Sequence, residues 1–530
     1  MIRSAILVAT VLCCAARAAR AGAQASPLVP PGERVYRDLD RLAAAGLIKT
    51  LVVGARPFSE HEIVRLLSEA RQNLGSLAGK TAWAAETIDA DLARYARTGN
   101  RVYDEARAEV VALDSPYRGV APDANGQLNA VINPLAANRG GRPVTDGLTA
   151  SLESMHSATL GSHVVAVVNP RATAWSRRGD GNDANVELQS AALDLEFGNF
   201  RFEAGRDYTI FGQAPLGSMV LSANAPTMNL VRISNDQPAR LPWILRVFGP
   251  IRASGIVGDL GEEAQIHPHA KVAAYHIAAL PNPHFEIGVE VLDAMGGSGG
   301  QKASFGDRVV DAIPLIDAVF RSGSDFQFSN KMAGLDFHWR MPEWRGFELY
   351  AEGDVDDFDV RRWQSSLLED GGIVAGLAVT CLTECGRLGI RGEYRQTGIR
   401  YYTHSDYPLE RRQLLLGDPL GPRGLSANVT VDGEWPAGYF ALNSAFEVRS
   451  GNQYGSSANG PDTEGFHFVL LAQRPAEKRL RAVATWDSDR GNQRVALNAA
   501  LGIERMTNFA FVAGANRVNW LARTAITVRP

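Results

Sequence analysis

The feature that most constrains this chain is a series of hairpins in which polar and apolar residues alternate. In the clearest one, residues 193–197 run Leu, Asp, Leu, Glu and Phe, Gly198 and Asn199 form a two-residue turn, and residues 200–204 continue the alternation. A period of two is typical of β-strands, and the short turn predicts antiparallel pairing. One face of such a hairpin is apolar and the other is charged, so the two faces need different surroundings.

What joins the hairpins narrows the fold class further. Short predicted turns lie at 281–284, 342–346, 383–386, 474–478 and 506–508, whereas long polar or Gly-rich connections span 205–241, 293–331, 353–372, 397–437 and 450–464. Short turns on one side and long loops on the other are typical of transmembrane β-barrels, whereas a water-soluble sandwich gives no reason for this difference. We predict a mainly β fold, a large antiparallel transmembrane barrel of ~16–18 strands with apolar faces toward lipid and charged faces toward the lumen.

The first 23 residues predict export. Arg3 is followed by an uncharged, mostly apolar run at 5–16, and Ala21-Gly22-Ala23 has the small residues of a cleavage site. The run is shorter than the ~20 residues that a spanning helix needs, so residues 1–23 are interpreted as a signal peptide.

The charge balance and the cysteine content narrow the class of protein further. Lys and Arg number 54 against 58 Asp and Glu, a balance that does not favour nucleic acid as a partner. Of 4 cysteines, only Cys381 and Cys385 lie beyond the predicted signal peptide. They flank a predicted turn in an oxidising compartment, so a local disulfide is one hypothesis and two free thiols are the other.

A helical segment precedes the strands. Val35, Leu39 and Leu42 share one helix face, Ser59 and Glu62 form a capping box, and residues 84–95 predict a third helix. The predicted domains are therefore a helical periplasmic domain at 24–112, a linker or plug segment at 113–147 and the barrel at 148–530. Residues 35–70 resemble an S-layer homology module, which implies a cell-envelope polymer as a partner; an ordinary three-helix bundle is the alternative.

One segment carries a more specific resemblance. Gly205-Arg206, Phe211-Gly212 and the run from Leu221 to Pro226, Leu-Ser-Ala-Asn-Ala-Pro, are similar to a signature of the Wzi family of capsule assembly proteins. Phe211 stands where the family pattern has Trp. The resemblance implies an outer-membrane barrel of about eighteen strands that a periplasmic helical bundle occludes. It also implies extracellular loops that hold capsular polysaccharide, hence a surface lectin without a cofactor and not an enzyme.

Loop 205–226 is the predicted polysaccharide-binding segment. Arg206, Asp207, Tyr208 and Asn224 offer the donors, carboxylate and aromatic ring that sugar hydroxyls use. The competing interpretation is structural: Gly205 fixes a turn, and Arg206 and Asp207 pair inside the barrel wall.

Other candidate sites, for metal binding or hydrolysis, have weaker support in the sequence. The acidic residues Asp354, Asp356, Asp357 and Asp359 lack the spacing of a calcium loop and are assigned to an acidic extracellular loop, and His267-Pro268-His269 is assigned to a solvated turn. Four carboxylates are predicted to face the interior and leave a hydrolase open: Glu286, Glu290, Glu348 and Glu352. The functions considered are therefore polysaccharide attachment, a carbohydrate-selective or general porin, and an outer-membrane hydrolase.

Overall fold

The computed structural model contains a closed antiparallel β-barrel. It describes residues 25–76, 82–96, 102–119, 128, 130–178, 181–263, 265–301, 329–356, 366–383, 387–404, 406–457, 467–491 and 493–529. The predicted signal peptide, 1–23, lies outside the described residues. Eighteen strands, β1 to β18 in chain order, form the barrel: Val102–Asp114, Gly147–Leu160, Val164–Arg177, Gly181–Phe197, Phe200–Asp207, Met228–Asn235, Pro250–Asp259, Lys271–Asn282, Phe285–Met295, Ser329–Met341, Phe347–Asp356, Gly371–Val379, Leu388–Thr397, Gly424–Trp435, Gly438–Arg449, Glu477–Asp487, Val495–Thr507 and Asn516–Val528.

The barrel closes between its first and last strands. In β18, Val528 is opposite Ala106 and Trp520 is opposite Asp114 of β1. The barrel therefore begins at Val102, inside the segment predicted as helical domain (24–112), and not at 148. Residues 102–114 contain three Ala and two Glu, which favour helices, and pairing with β2 on one side and the distant β18 on the other makes them a strand.

The two faces of the wall are divided as the alternation predicts. Leu195 and Phe197 are 37% and 55% exposed, whereas Asp194 and Glu196 are 2% and 6% exposed. Trp339, Trp344 and Trp435 are exposed near short turns at one end of the barrel, as in an interfacial aromatic belt. The outer face thus suits lipid, and the inner face carries the charges.

The two ends of the barrel differ. The end that carries the turns 198–199, 283–284, 342–346 and 436–437 is called here the helix end, and the opposite end is the loop end. Seven long connections begin and end at the loop end, and parts of them lie outside the described residues: 115–146, 208–227, 260–270, 296–328, 357–370, 398–423 and 450–476.

Two long connections predicted from the sequence were drawn wrongly, and the short turn predicted at 474–478 belongs to a long connection. The predicted loops 205–241 and 397–437 contain the barrel strands β6 and β14. Residues His467–Ala472 are not a barrel strand, because they pair with Gln453–Ser457 in a separate two-stranded sheet.

The N-terminal helices are α1 (Arg34–Ala44), α2 (Glu60–Asn73) and α3 (Ala82–Tyr95). Ser59 caps α2, since its side chain accepts a hydrogen bond from the Glu62 N–H at 3.1 Å. The helices share an apolar core that includes Leu39 and Ile63. Among the described residues, the helices are too short or too polar to cross a membrane. The resemblance to an S-layer homology module stays a prediction.

Ion pairs attach the helices to the barrel. Arg41 of α1 donates to Glu434 at 3.0 Å, beside a short turn, and Arg94 of α3 donates to Glu105 of β1 at 3.0 Å. Both barrel residues lie at the helix end of their strands, so the helical domain lies against that end.

Candidate functional site

The lumen is filled from both ends. Residues 208–227 fold inward from the loop end, and residues 51–56 enter from the helical domain; together they are called here the plug. The two segments meet as a short antiparallel pair in which Ile210 is opposite Arg56 and Phe211 is opposite Ala55. The contact is buried, with Phe211 and Met219 0% exposed. The helical domain and a loop-end connection therefore make direct contact inside the barrel.

Carboxylates of the barrel wall hold the plug. Glu286 accepts hydrogen bonds from the backbone N–H groups of Val53 and Gly54 at 3.0 and 2.9 Å. Glu352 accepts from the N–H groups of three plug residues, Gln213, Ala214 and Met219. Each bond satisfies a buried backbone donor that has left regular structure. The interior positions predicted for both carboxylates are confirmed, and both carboxylates bind the protein's own backbone.

The other two interior carboxylates are also buried. Glu348, on β11, is bound by His338 at 2.9 Å, and Glu290, on β9, is 0% exposed. A glycosidase needs its carboxylates against an open substrate site, whereas these lie under the plug.

Part of the predicted linker or plug segment, 113–147, also lies in the lumen. The Asn138 amide donates to the carbonyl oxygen of Leu216, and the Gly140 N–H donates to that of Ala223 at 2.6 Å. Arg142 makes a bidentate pair with Glu153 of β2 at 2.7 and 2.9 Å. This segment therefore backs residues 208–227 and fixes them to the wall.

Two cavities remain beside the plug. One has a volume of about 280 Å³ and lies between Pro30–Arg34 of the helical domain and the 138–142 turn; Tyr208 lines it. The other has a volume of about 310 Å³ and is lined by polar wall residues that include Asn443 and Glu447. Both are interior spaces, with residues of the plug or its backing segment in their walls.

The predicted binding residues do not converge on one site. Arg206 lies on the outer face, where its Nε donates to Asn229 at 2.9 Å. Asp207 faces inward, 3.7 Å from Arg232. Tyr208 lines the interior cavity, where burial raises its pKa. Asn224 is buried and donates to the carbonyl oxygen of Leu415 at 3.0 Å, so it ties two loops together.

Arg206 belongs to a groove on the outer rim at the loop end, called here the rim groove. The groove has a volume of about 720 Å³. Its lining combines Leu, Val, Ala and Gly residues of the wall with a polar edge formed by Glu187, Arg206, Asn229, Asp259 and Lys271. Only Arg206 of these was predicted, because the others lie on separate strands that only the folded barrel brings together.

A loop extends the polar edge of the rim groove. Arg412 donates to Glu187 at 2.7 Å, and Lys271 donates to Asp259 at 2.8 Å. Burial and the nearby guanidinium groups of Arg206 and Arg412 lower the pKa of Arg411 to about 10. The edge thus combines a cluster of positive charge with carboxylates and an amide, a set of groups that binds polar ligands.

The remaining predicted sites are resolved in part. Cys381 is disulfide-bonded and 4% exposed, whereas Cys385 lies outside the described residues, so their pairing stays a prediction. His269 lies 3.2 Å from Asp259 and 2.9 Å from Glu262, in an exposed turn as predicted. Asp354 and Asp356 are not in an exposed loop, because they are 1% and 2% exposed in β11, and Asp357 and Asp359 lie outside the described residues.

Together these features define a plugged transmembrane β-barrel, with an apolar outer face and a charged lumen that two segments of the chain occlude. A family model described as capsule assembly protein Wzi matches residues 127–521, and the chain belongs to that family.

Several solved structures are similar to the chain, and one of them shares its fold. One from Escherichia coli, described as Wzi, an outer membrane protein involved in group 1 capsule assembly and a carbohydrate-binding β-barrel, has a TM-score of 0.68 at 17% identity and covers 95% of this chain and 99% of its own. Pseudomonas aeruginosa OccD3 has a TM-score of 0.43 at 10% identity, covering 81% of this chain and 93% of its own. Acinetobacter baumannii OccAB1 has a TM-score of 0.45 at 10% identity, covering 81% of this chain and 96% of its own. Among proteins with curated descriptions, none matches the chain.

Proposed function

We propose that this chain is an outer-membrane protein that holds capsular or other extracellular polysaccharide at the cell surface by non-catalytic binding. Family membership supports the role in capsule assembly. The observation that carries the proposal is the plug: a lumen filled by residues 51–56 and 208–227 suits a binding protein and not a channel.

The rim groove is the proposed contact for polysaccharide. It lies at the loop end, away from the helical domain, and this end faces outward if the short turns face the periplasm. Arg206, Arg412 and Lys271 supply donors, Glu187 and Asp259 accept hydrogen bonds, and the apolar residues offer a surface against which sugar rings can pack. Because each hydroxyl contact contributes little net free energy in water, several such groups are needed together.

A retention assay tests the proposal. The gene is deleted, and surface-retained and released polysaccharide are measured after complementation with wild type or variants. The double variant Arg206→Ala, Arg412→Ala is expected to release polysaccharide while the barrel still shows heat-modifiable migration on gels. The matched control is Asn282→Ala with His284→Ala, at a short turn of the helix end, and it should retain polysaccharide like wild type.

The porin alternative makes the opposite prediction for conductance. Under the proposal, the wild-type protein in planar bilayers conducts far less than an open barrel of the same size, because the plug is fixed to the wall by Glu286 and Glu352. Steady conductance of an open pore, with normal polysaccharide retention in the deletion strain, would favour the porin instead.

A further inference from the structure

Three carboxylates cluster on the inner wall beside the plug. Glu290, Glu352 and Asp354 are 0%, 0% and 1% exposed, and one oxygen of each lies within 4.8 Å of the others. Two oxygens on opposite sides of a Ca²⁺ ion lie about 4.6–5.2 Å apart, since Ca–O distances are about 2.3–2.6 Å. The three groups therefore fit within the coordination shell of one Ca²⁺ ion.

The strand register explains why the carboxylates approach one another. Glu290 is opposite Gly334, and Gly334 is opposite Asp354, so a glycine separates the two acids on the inner face. A Cβ atom at Gly334 would overlap with the carboxylate of Asp354. Because Gly334 has no side chain, the carboxylates of Glu290 and Asp354 can extend into the space between their two strands.

Glu352 has the plug N–H groups, but Glu290 and Asp354 lack hydrogen-bond donors among the described residues. Both oxygens of Glu290 and both of Asp354 accept no hydrogen bond from an N–H or O–H group of the described residues. His276, beside Glu290 in the register, has its Nε2 on Asp336 at 2.7 Å, and Arg395 donates to Glu393 at 2.6 Å. Buried carboxylates that have no positively charged side chain beside them need either a bound cation or a proton shared between them.

A separate group from another segment points at the same place. The hydroxyl of Tyr401 has no hydrogen-bond partner among the described residues, and the residue is 0% exposed. Its ring Cζ lies 2.5 Å from where a Cβ would stand on Gly372, and Gly372 is opposite Asp354 in the register. The hydroxyl oxygen, bonded to that Cζ, therefore lies near the strand position opposite Asp354 and offers a neutral oxygen on the side of the wall that carries the carboxylates.

We propose that Glu290, Glu352 and Asp354, with the hydroxyl of Tyr401, form a Ca²⁺ site in the barrel wall. Ca²⁺ takes six to eight oxygen ligands, and two bidentate carboxylates, one oxygen of Glu352 and the phenol supply up to six. Because Glu352 also accepts the N–H groups of Gln213, Ala214 and Met219, the ion joins the wall to the plug.

Calcium binding to the purified full-length protein tests the site. The protein in detergent is stripped with EGTA, and Ca²⁺ is titrated by calorimetry and by displacement of Tb³⁺, whose luminescence is excited through tyrosine. One Ca²⁺ per chain is expected, with Mg²⁺ competing poorly. The double variant Glu290→Gln, Asp354→Asn should bind on the order of a hundredfold more weakly, since ligand charge sets Ca²⁺ affinity.

The matched control is Glu348→Gln. Glu348 faces inward on β11, the strand that also carries Asp354, but it is bound by His338 and lies outside the cluster. It should bind Ca²⁺ like wild type. If the double variant fails to assemble, the single variants Glu290→Gln and Tyr401→Phe should each still lower the affinity. No Ca²⁺ uptake by wild type at millimolar concentration would overturn the proposal and leave a proton shared by Glu290 and Asp354. Equal binding by wild type and variants would also overturn it.

Discussion

Glu352, on the inner wall of the barrel, accepts a hydrogen bond from the backbone N–H of Met219, in the plug, at 2.8 Å. The two residues are 133 positions apart in the chain, and the bond joins a spanning strand to a loop-end connection. The wall and the plug are thus one hydrogen-bonded unit, which makes occlusion of the lumen a property that single substitutions can test.

The first prediction concerns this bond. Glu352→Ala leaves three buried N–H groups without an acceptor, at a cost of about 1–3 kcal/mol each. The plug should loosen, and single-channel recordings should detect openings that wild type lacks. Glu343→Ala, in an exposed turn of the helix end, is the control and should stay closed. A closed Glu352→Ala barrel would mean that other contacts hold the plug.

The second prediction tests the two faces of the wall. Leu442 is 48% exposed on the outer face, and the adjacent Asn443 lines the interior cavity of about 310 Å³. Leu442→Lys should destabilise the barrel by ~2–4 kcal/mol, because it places a charge near mid-membrane. Asn443→Lys should cost less, since it places the charge in a polar cavity of the lumen, lined by carboxylates and guanidinium groups, and not in lipid.

Denaturant unfolding in lipid vesicles measures both variants. Glu196→Lys would be a poor control for the inner face. Glu196 pairs with Arg201, and a lysine in its place would be repelled by that guanidinium group. Equal destabilisation by the two lysines would contradict the assigned faces.

The third prediction is a pH dependence of the helical domain. Burial, and then the nearby carboxylate of Asp38, raise the pKa of Asp91 in α3 well above its usual value, against the effect of Arg34 and Arg94. A raised carboxyl pKa contributes stability that is fully present below the unfolded-state value of about 3.9 and is lost as the pH rises through the folded value.

Hydrogen exchange of α3 should therefore slow as the pH is lowered from 8 toward 5, after correction for intrinsic exchange rates. Asp91→Asn should remove most of this dependence and stabilise α3 at pH 8. An unchanged pH dependence in the variant would assign it to other groups, such as Asp38.

The fourth prediction concerns Cys381 and Cys385. A local disulfide across their turn leaves no thiol to alkylate without reductant, and two thiols after reduction in unfolded protein. Mass spectrometry of the alkylated mature chain counts them. Labelling of both cysteines before reduction would rule the bridge out.

The alternation of polar and apolar residues predicted much of the barrel, and the strands that it missed have a physical explanation. Leu195 and Glu196 could be assigned to opposite faces because one meets lipid and the other a charged lumen. In the missed strand β6, the inward residue Leu230 and the outward residue Val231 are both apolar, since Leu230 packs on the apolar part of the plug. Where the lumen is apolar, the strand loses its period of two.

The candidate site was less predictable than the fold. Glu286 and Glu352 were expected to face inward, but nothing near them in the sequence indicates that they bind residues 53–54 and 213–219. The same holds for the rim groove, where Arg206 was expected and Lys271 and Arg412 were not. Each contact joins segments that are far apart in the chain, so local patterns carry no signal for it.

The most direct test of the proposed function is binding of the cell's own surface polysaccharide to the purified full-length protein. The polysaccharide is titrated onto immobilised protein in detergent, and its size is measured before and after. The account predicts saturable binding, weakened by Arg206→Ala with Arg412→Ala, and polysaccharide of unchanged length. Absence of binding, or polysaccharide shortened by incubation with the protein, would contradict it.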